Sequence, residues 1–143
     1  MTIIGLGNDF RHDDAAGLIA VRRLQEAGLS AEEHNGDWAD LIEKWKRCDE
    51  VVLIDAVSSG APAGTLHRIN ARISPLPPGH CFGSTHTLGL AEAVELSRTL
   101  ETLPARLLIL GIEGRDFSPG IGLSVEVDRA LVRLLEEVQM MKL

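Results

Sequence analysis

The chain has 143 residues, 45% of them hydrophobic and 24% charged, with 14 Lys and Arg against 21 Asp and Glu for a net charge of -7. That length fits one domain over residues 1–143 with a core of its own, and the apolar content excludes disorder as the main state. The acidic balance argues against a nucleic-acid binder or an anionic-membrane binder, both of which need a basic face.

No run reaches the ~20 apolar residues of a membrane span. The opening MTIIGLGNDF lacks the basic start and long apolar stretch of a secretion signal. Cys48 and Cys81 do not form a C-x-x-C, which removes the main support for zinc-ribbon and thioredoxin-type readings. One disulfide stays open as an alternative, but the expectation is a cytoplasmic protein with reduced thiols.

Residues 2–7 (TIIGLG) read as a buried strand entering a tight turn. Asp13 reads as a helix cap and Asp14 as a first-turn acid, ahead of Ala15, Leu18, Ile19 and Arg22 at helical spacing. Residues 31–34 suit a short edge strand. Trp38, Leu41, Ile42 and Trp45 fall at i, i+3, i+4, i+7, the pattern of an amphipathic helix. VVLIDA, residues 51–56, is a continuous apolar run of the kind that parallel sheets bury on both faces.

A turn over Gly60–Gly64 leads to a strand over 65–69, expected to run antiparallel because the link is short. Residues 73–84, with three prolines, read as a loop. A helix is expected from about residue 86, with Ala93, Leu96 and Leu100 as its stripe. Residues 106–112 (RLLILGI) form the last buried strand and 113–123 a glycine-rich loop. Ser124 is placed to cap a final helix with Val127, Leu131, Leu134 and Val138 on one face. The alternation predicts an α/β fold: a three-layer αβα arrangement around a twisted, mostly parallel sheet of about five strands with one antiparallel strand.

In such sheets ligands bind beyond the carboxyl ends of the strands, at a switch in strand order. The candidates there are Asn8, Asp9, His12, Asp13 and Asp14 after the first strand, Asp55 ending VVLIDA, and Ser84, Thr85 and His86 before the third helix. Asp and His without thiolate make a borderline metal site. Each also has an ordinary reading: cap, dipole partner, turn former, or hydrogen-bonded helix residue. His34, His67 and His80 read as surface or loop residues. A Cys81 nucleophile beside His80 and His86 is an open alternative.

Several motifs are missing. Phe10 stands where G-x-G-x-x-G needs its third glycine, and there is no Gly-Lys-Ser/Thr and no G-x-S-x-G. A receiver-like module could use Asp55 as phosphoacceptor, but residues 106–115 contain no Lys to accompany it.

Four blocks in order, GLGNDFRHDDAAGLIAVRRL, VVLIDAVSSGAPAGTLHRI, STHTLGLAEAVEL and LLILGIEGRDFSPGIGLSVEV, closely resemble the NiFe-hydrogenase maturation endopeptidase family. The resemblance implies removal of a C-terminal extension from a nickel-loaded hydrogenase large-subunit precursor, which would be the protein partner. It carries three metal-contacting positions onto Asp14, Asp55 and His86, the residues the spacing had already selected. Many members have Glu where Asp14 stands, Asp-Gly-Gly where Asn35-Gly36-Asp37 stands, and Pro where Gly114 stands.

Two schemes follow. Asp14, Asp55 and His86 could hold a metal that polarises the scissile carbonyl or activates water, or they could take hold of nickel supplied by the precursor. Asp14 or Asp55 could also act as general base. No organic cofactor is implied. The alternative function is a non-catalytic α/β metal- or partner-binding module, such as a paralogue or a receiver- or flavodoxin-like domain.

Overall fold

The computed structural model describes residues 1–82 and 89–141. In chain order the elements are β1 (Thr2–Leu6), a 3-10 turn (His12–Ala15), α1 (Ala16–Glu26), β2 (Glu32–His34), α2 (Trp38–Trp45) and β3 (Glu50–Ser58). Then come β4 (Leu66–Asn70), β5 (Cys81–Phe82), α3 (Leu90–Thr99), β6 (Arg106–Glu113) and α4 (Val125–Met141). The sheet runs β2-β1-β3-β6-β4, with β5 paired to β3 off that path. Neighbours from β2 to β6 are parallel, and β4 lies antiparallel to β6 as expected. The two-residue β5, antiparallel to β3, lies in the stretch read as a loop, being too short to show a strand period.

Successive residues of β3 point to opposite faces. Val51, Leu53 and Val57 pack with Leu41, Ile42 and Trp45 of α2 and Leu90, Ala93 and Val94 of α3. Val52, Ile54 and Ala56 pack with Ala16, Ala20 and Leu24 of α1 and with Val127, Leu131 and Leu134 of α4. Two apolar cores on one sheet make the three-layer αβα architecture, built from aliphatic side chains as the low aromatic content requires. Buried Trp45 donates its indole N–H to Ser97 Oγ at 2.8 Å, joining α2 to α3 with the ring's polar atom satisfied. Among the described residues no helix is long and apolar enough to cross a membrane.

Close helix–strand approach, which a third glycine in a dinucleotide fingerprint would provide, is supplied here by Gly17 on α1. A Cβ there would sit 2.2 Å from Leu6 O and 2.3 Å from Ile54 O, and one on Gly5 would sit 2.1 Å from Gly17 O. These obstacles are backbone atoms and cannot rotate away. Gly17→Ala is therefore expected to push α1 off β1 and β3 and destabilise the fold by roughly 3 kcal/mol or more. A urea titration checks this; a midpoint equal to that of the parent chain would contradict the packing described.

Three local expectations need correction. Asp13 does not cap α1: the helix begins after Ala15 with no side-chain cap, and the Asp13 carboxylate is turned toward the loop before α4. Ser124 does precede α4, but its hydroxyl donates to Asp13. On α3 the buried face is Leu90, Ala93, Val94 and Ser97, whereas Leu96 and Leu100 are exposed. The buried stripe keeps Ala93 but falls at i, i+3, i+4, i+7 from Leu90, which turns Leu96 and Leu100 to solvent. The described helix runs over Leu90–Thr99, with Glu92 reaching back to accept from Gly89 N–H at 2.9 Å, and the expected start near 86 lies outside the described residues.

Candidate active site

β1 is followed by a move to one side of the sheet (β2), and β3 lies on its other side next to β6. The switch in strand order falls between β1 and β3, where Asp14 and Asp55 are delivered. Both line one cleft of about 490 Å³. Its walls include Leu6, Leu18, Trp38, Leu41, Phe82 and Leu90, and its rim carries Asn8, Asp9, Phe10, Glu33 and His34.

Asp14 and Asp55 are each only 2% exposed. Asp55 Oδ1 accepts from the Ala56 N–H at 2.8 Å. Burial first, and the nearby Asp14 charge second, push the Asp55 carboxyl well above the usual carboxylate range, against that one bond. Two acids sharing a buried cleft favour the arrival of a proton or a cation, and an acid perturbed like Asp55 is characteristic of functional sites. Oxygen donors with an imidazole suit a borderline divalent metal. Among the described residues no group of three or more His, Cys, Asp or Glu is placed to hold a metal ion. His86, the third expected member, lies outside the described residues, as do Ser84 and Thr85.

Asp13, fully buried, fixes the neighbourhood of Asp14. Its Oδ2 accepts from Arg115 N–H (2.8 Å), Asp116 N–H (3.0 Å) and Ser124 Oγ–H (2.9 Å), and its Oδ1 from Ser124 N–H (2.7 Å). On the rim, Arg22 forks to both oxygens of Asp9 at 2.8 Å and also reaches Glu33 at 2.7 Å. It ties the loop after β1 to β2 and draws the Asp9 carboxyl below its usual range, chiefly through these hydrogen bonds.

His80 lies in the loop before β5 as expected, but the reading of His34 and His67 as surface or loop residues is corrected. His34 is buried at the rim of the cleft. Gly36 N–H donates to its Nδ1 at 3.0 Å, so Nε2 carries the proton and donates to Asp40 Oδ2 at 2.9 Å. His67 is part-buried against Glu113 Oε1 at 3.1 Å, with the His80 ring edge-on at 4.9 Å. Burial works to raise the Glu113 carboxyl, but the Ser59 hydroxyl and N–H, with His67, outweigh it and hold it low. His67, His80 and Glu113 stand apart from the cleft lining. His12 points its Nδ1 at Gly122 O (3.0 Å) and does not line the cleft either. Cys81 is an exposed free thiol on β5. Sequence reasoning missed His34 and Trp38 as cleft residues, because the pairing of β2 beside β1 brings the first there and the packing of α2 on the sheet brings the second.

A sequence model described as hydrogenase maturation protease matches residues 36–140. The chain belongs to the hydrogenase maturation protease family. It is 27% identical over 142 residues to the hydrogenase 2 maturation protease of Escherichia coli K12, covering 95% of this chain and 86% of that protein. It is 28% identical over 116 residues to the hydrogenase expression/formation protein HupD of Thiocapsa roseopersicina, with 78% of this chain aligned. The chain spans about half (52%) of HupD's length. The structure of the NiFe hydrogenase maturation protease HybD from Thermococcus kodakarensis superposes with a TM-score of 0.78 at 25% identity, over 98% of this chain and 97% of that one. The α/β fold expected from the sequence is thus the fold of this protease family.

Proposed function

We propose that the chain is an endopeptidase that removes the C-terminal extension of a nickel-loaded NiFe-hydrogenase large-subunit precursor. Asp14, Asp55 and His86 take hold of nickel that arrives with the substrate. The observation that carries this reading is the buried Asp14–Asp55 pair at the strand-order switch, in a chain of the hydrogenase maturation protease family. Burial first, and the Asp14 charge second, disfavour an ionised Asp55, and an arriving cation offsets both, which favours the metal-loaded precursor over the empty one.

Proteolysis needs a water deprotonated as its oxygen bonds to the scissile carbonyl carbon, and a proton delivered to the departing amide nitrogen. Asp14 or Asp55 is suited to take that proton as general base, and its acid form to return one to the amide nitrogen. Within this reading the chain acts as a single domain, in the cytoplasm, before the large subunit closes over its metal centre.

Asp14→Asn and His86→Ala are each expected to lower precursor processing by about a hundredfold or more, as loss of a group acting only in the reaction does. Time courses of precursor shortening on a denaturing gel check this. Wild-type rates in both variants would reject the assignment of these side chains.

A further inference from the structure

Beyond the cleft, the loop before α4 holds an apolar side chain in solvent with unusual care. Ile121 is 79% exposed, Phe10 on the cleft rim 68%, and Val125 at the start of α4 59%. Residues 10–12 and 120–122 are knitted together. Gly120 N–H donates to Phe10 O (2.8 Å), His12 N–H to Gly120 O (2.9 Å), and His12 Nδ1–H to Gly122 O (3.0 Å). Gly120 and Gly122, on either side of Ile121, have φ of +150° and +109°, backbone that side-chain-bearing residues rarely adopt. A Cβ on Gly120 would strike the His12 ring. Asp13 then anchors the far end of the loop through both Ser124 bonds.

The bonded frame holds Asp13 in place, but the isoleucine it presents to water gains nothing inside this chain, because exposed apolar surface is unfavourable until something covers it. We propose that Phe10 and Ile121, on segments tied together by the Gly120–Phe10 bond, form a docking ridge for an apolar face of the protein substrate. The argument for that occupant is continuity: Phe10 belongs both to the ridge and to the lining of the cleft, so a protein seated on the ridge feeds chain toward Asp14 and Asp55. A second copy is the poorer occupant, since two chains of net charge -7 repel each other. The inference rests on the proteolytic reading above and extends it from the cleft to the body of the substrate.

The test measures affinity of the intact chain for the nickel-loaded precursor by biolayer interferometry, with cleavage followed in parallel. Ile121→Ser and Phe10→Ser are each expected to weaken binding roughly tenfold or more, as loss of an exposed apolar anchor at an interface does. Val132→Ser, at a 52%-exposed apolar position on α4, is expected to stay within about twofold. Circular dichroism establishes that each variant is folded. Wild-type affinity in both ridge variants while the parent chain cleaves would overturn the ridge and leave the proteolytic reading standing. Tight binding by the parent without cleavage would overturn the proteolytic reading, and the same affinities would still decide the ridge. If the variants lost self-association but kept their precursor affinity, the ridge would be an interface between copies and the proposal wrong.

Discussion

Replacing Asp55 by Asn is expected to abolish precursor processing and at the same time make the protein more stable at neutral pH. The side chain is buried, and burial and the Asp14 charge both oppose its ionisation. The folded state therefore binds the Asp55 proton more tightly than the unfolded chain, whose Asp titrates near the ordinary 3.8. Above that pH the unfolded chain ionises freely while the folded one resists. The group thus lowers stability increasingly as pH rises toward its folded value. Asn is neutral and keeps an oxygen to accept from Ala56 N–H. The expected gain at pH 7 is about 1 kcal/mol, roughly 2–4 °C in Tm, shrinking as the pH is lowered toward 4. Thermal melts at pH 7 and pH 4.5, run beside a processing assay, read both effects. An Asn variant that is less stable than the parent at pH 7 would show that the carboxylate is compensated in a way the cleft geometry does not account for.

The second large effect is expected at Asp13. Its carboxylate receives four hydrogen bonds from three residues of the 115–124 loop, all more than a hundred positions away in sequence. Asp13→Ala leaves three backbone N–H groups and a hydroxyl without their acceptor. The donors lie on partly exposed residues that water can reach, so the loss is below the full buried-donor penalty, about 2–4 kcal/mol. Asp13→Asn keeps one oxygen for three of the donors but turns an NH2 toward Ser124 N–H, and is expected to cost about 1–3 kcal/mol. Because the next residue is Asp14, both variants should also slow processing even where they remain folded. Urea midpoints order the series: parent, Asn, Ala. Equal midpoints for all three would mean that the loop is held by something other than this carboxylate.

Legibility in the sequence followed the range of the interactions. β3 and α2 were readable because a continuous apolar run and an i, i+3, i+4, i+7 stripe are local signals of burial. Position put Asp14 and Asp55 among a wider set of candidates at the strand ends, where ligands gather in a parallel sheet, the resemblance narrowed that set, and both residues line one cleft. Asp13 was misread because capping is the local explanation for an acid before a helix, whereas its partners come from the other end of the chain. His34 was misread for a similar reason. Its burial depends on β2 pairing beside β1 and on Asp40 of α2, and neither leaves a mark on the residues flanking position 34. The α3 stripe was right at Ala93 and wrong at Leu96 and Leu100, because the buried face runs through Leu90, Ala93, Val94 and Ser97 at i, i+3, i+4, i+7.

The most direct test of the account is to incubate the purified chain with the large-subunit precursor of its own cell, with and without nickel inserted, and to read the precursor's C-terminus by intact mass. The account predicts a single loss of the C-terminal extension in the nickel-loaded sample and none in the nickel-free one. Binding without any cleavage of the nickel-loaded precursor would contradict it, and would make Asp14, Asp55 and His86 the recognition residues of a non-catalytic metal-reading module.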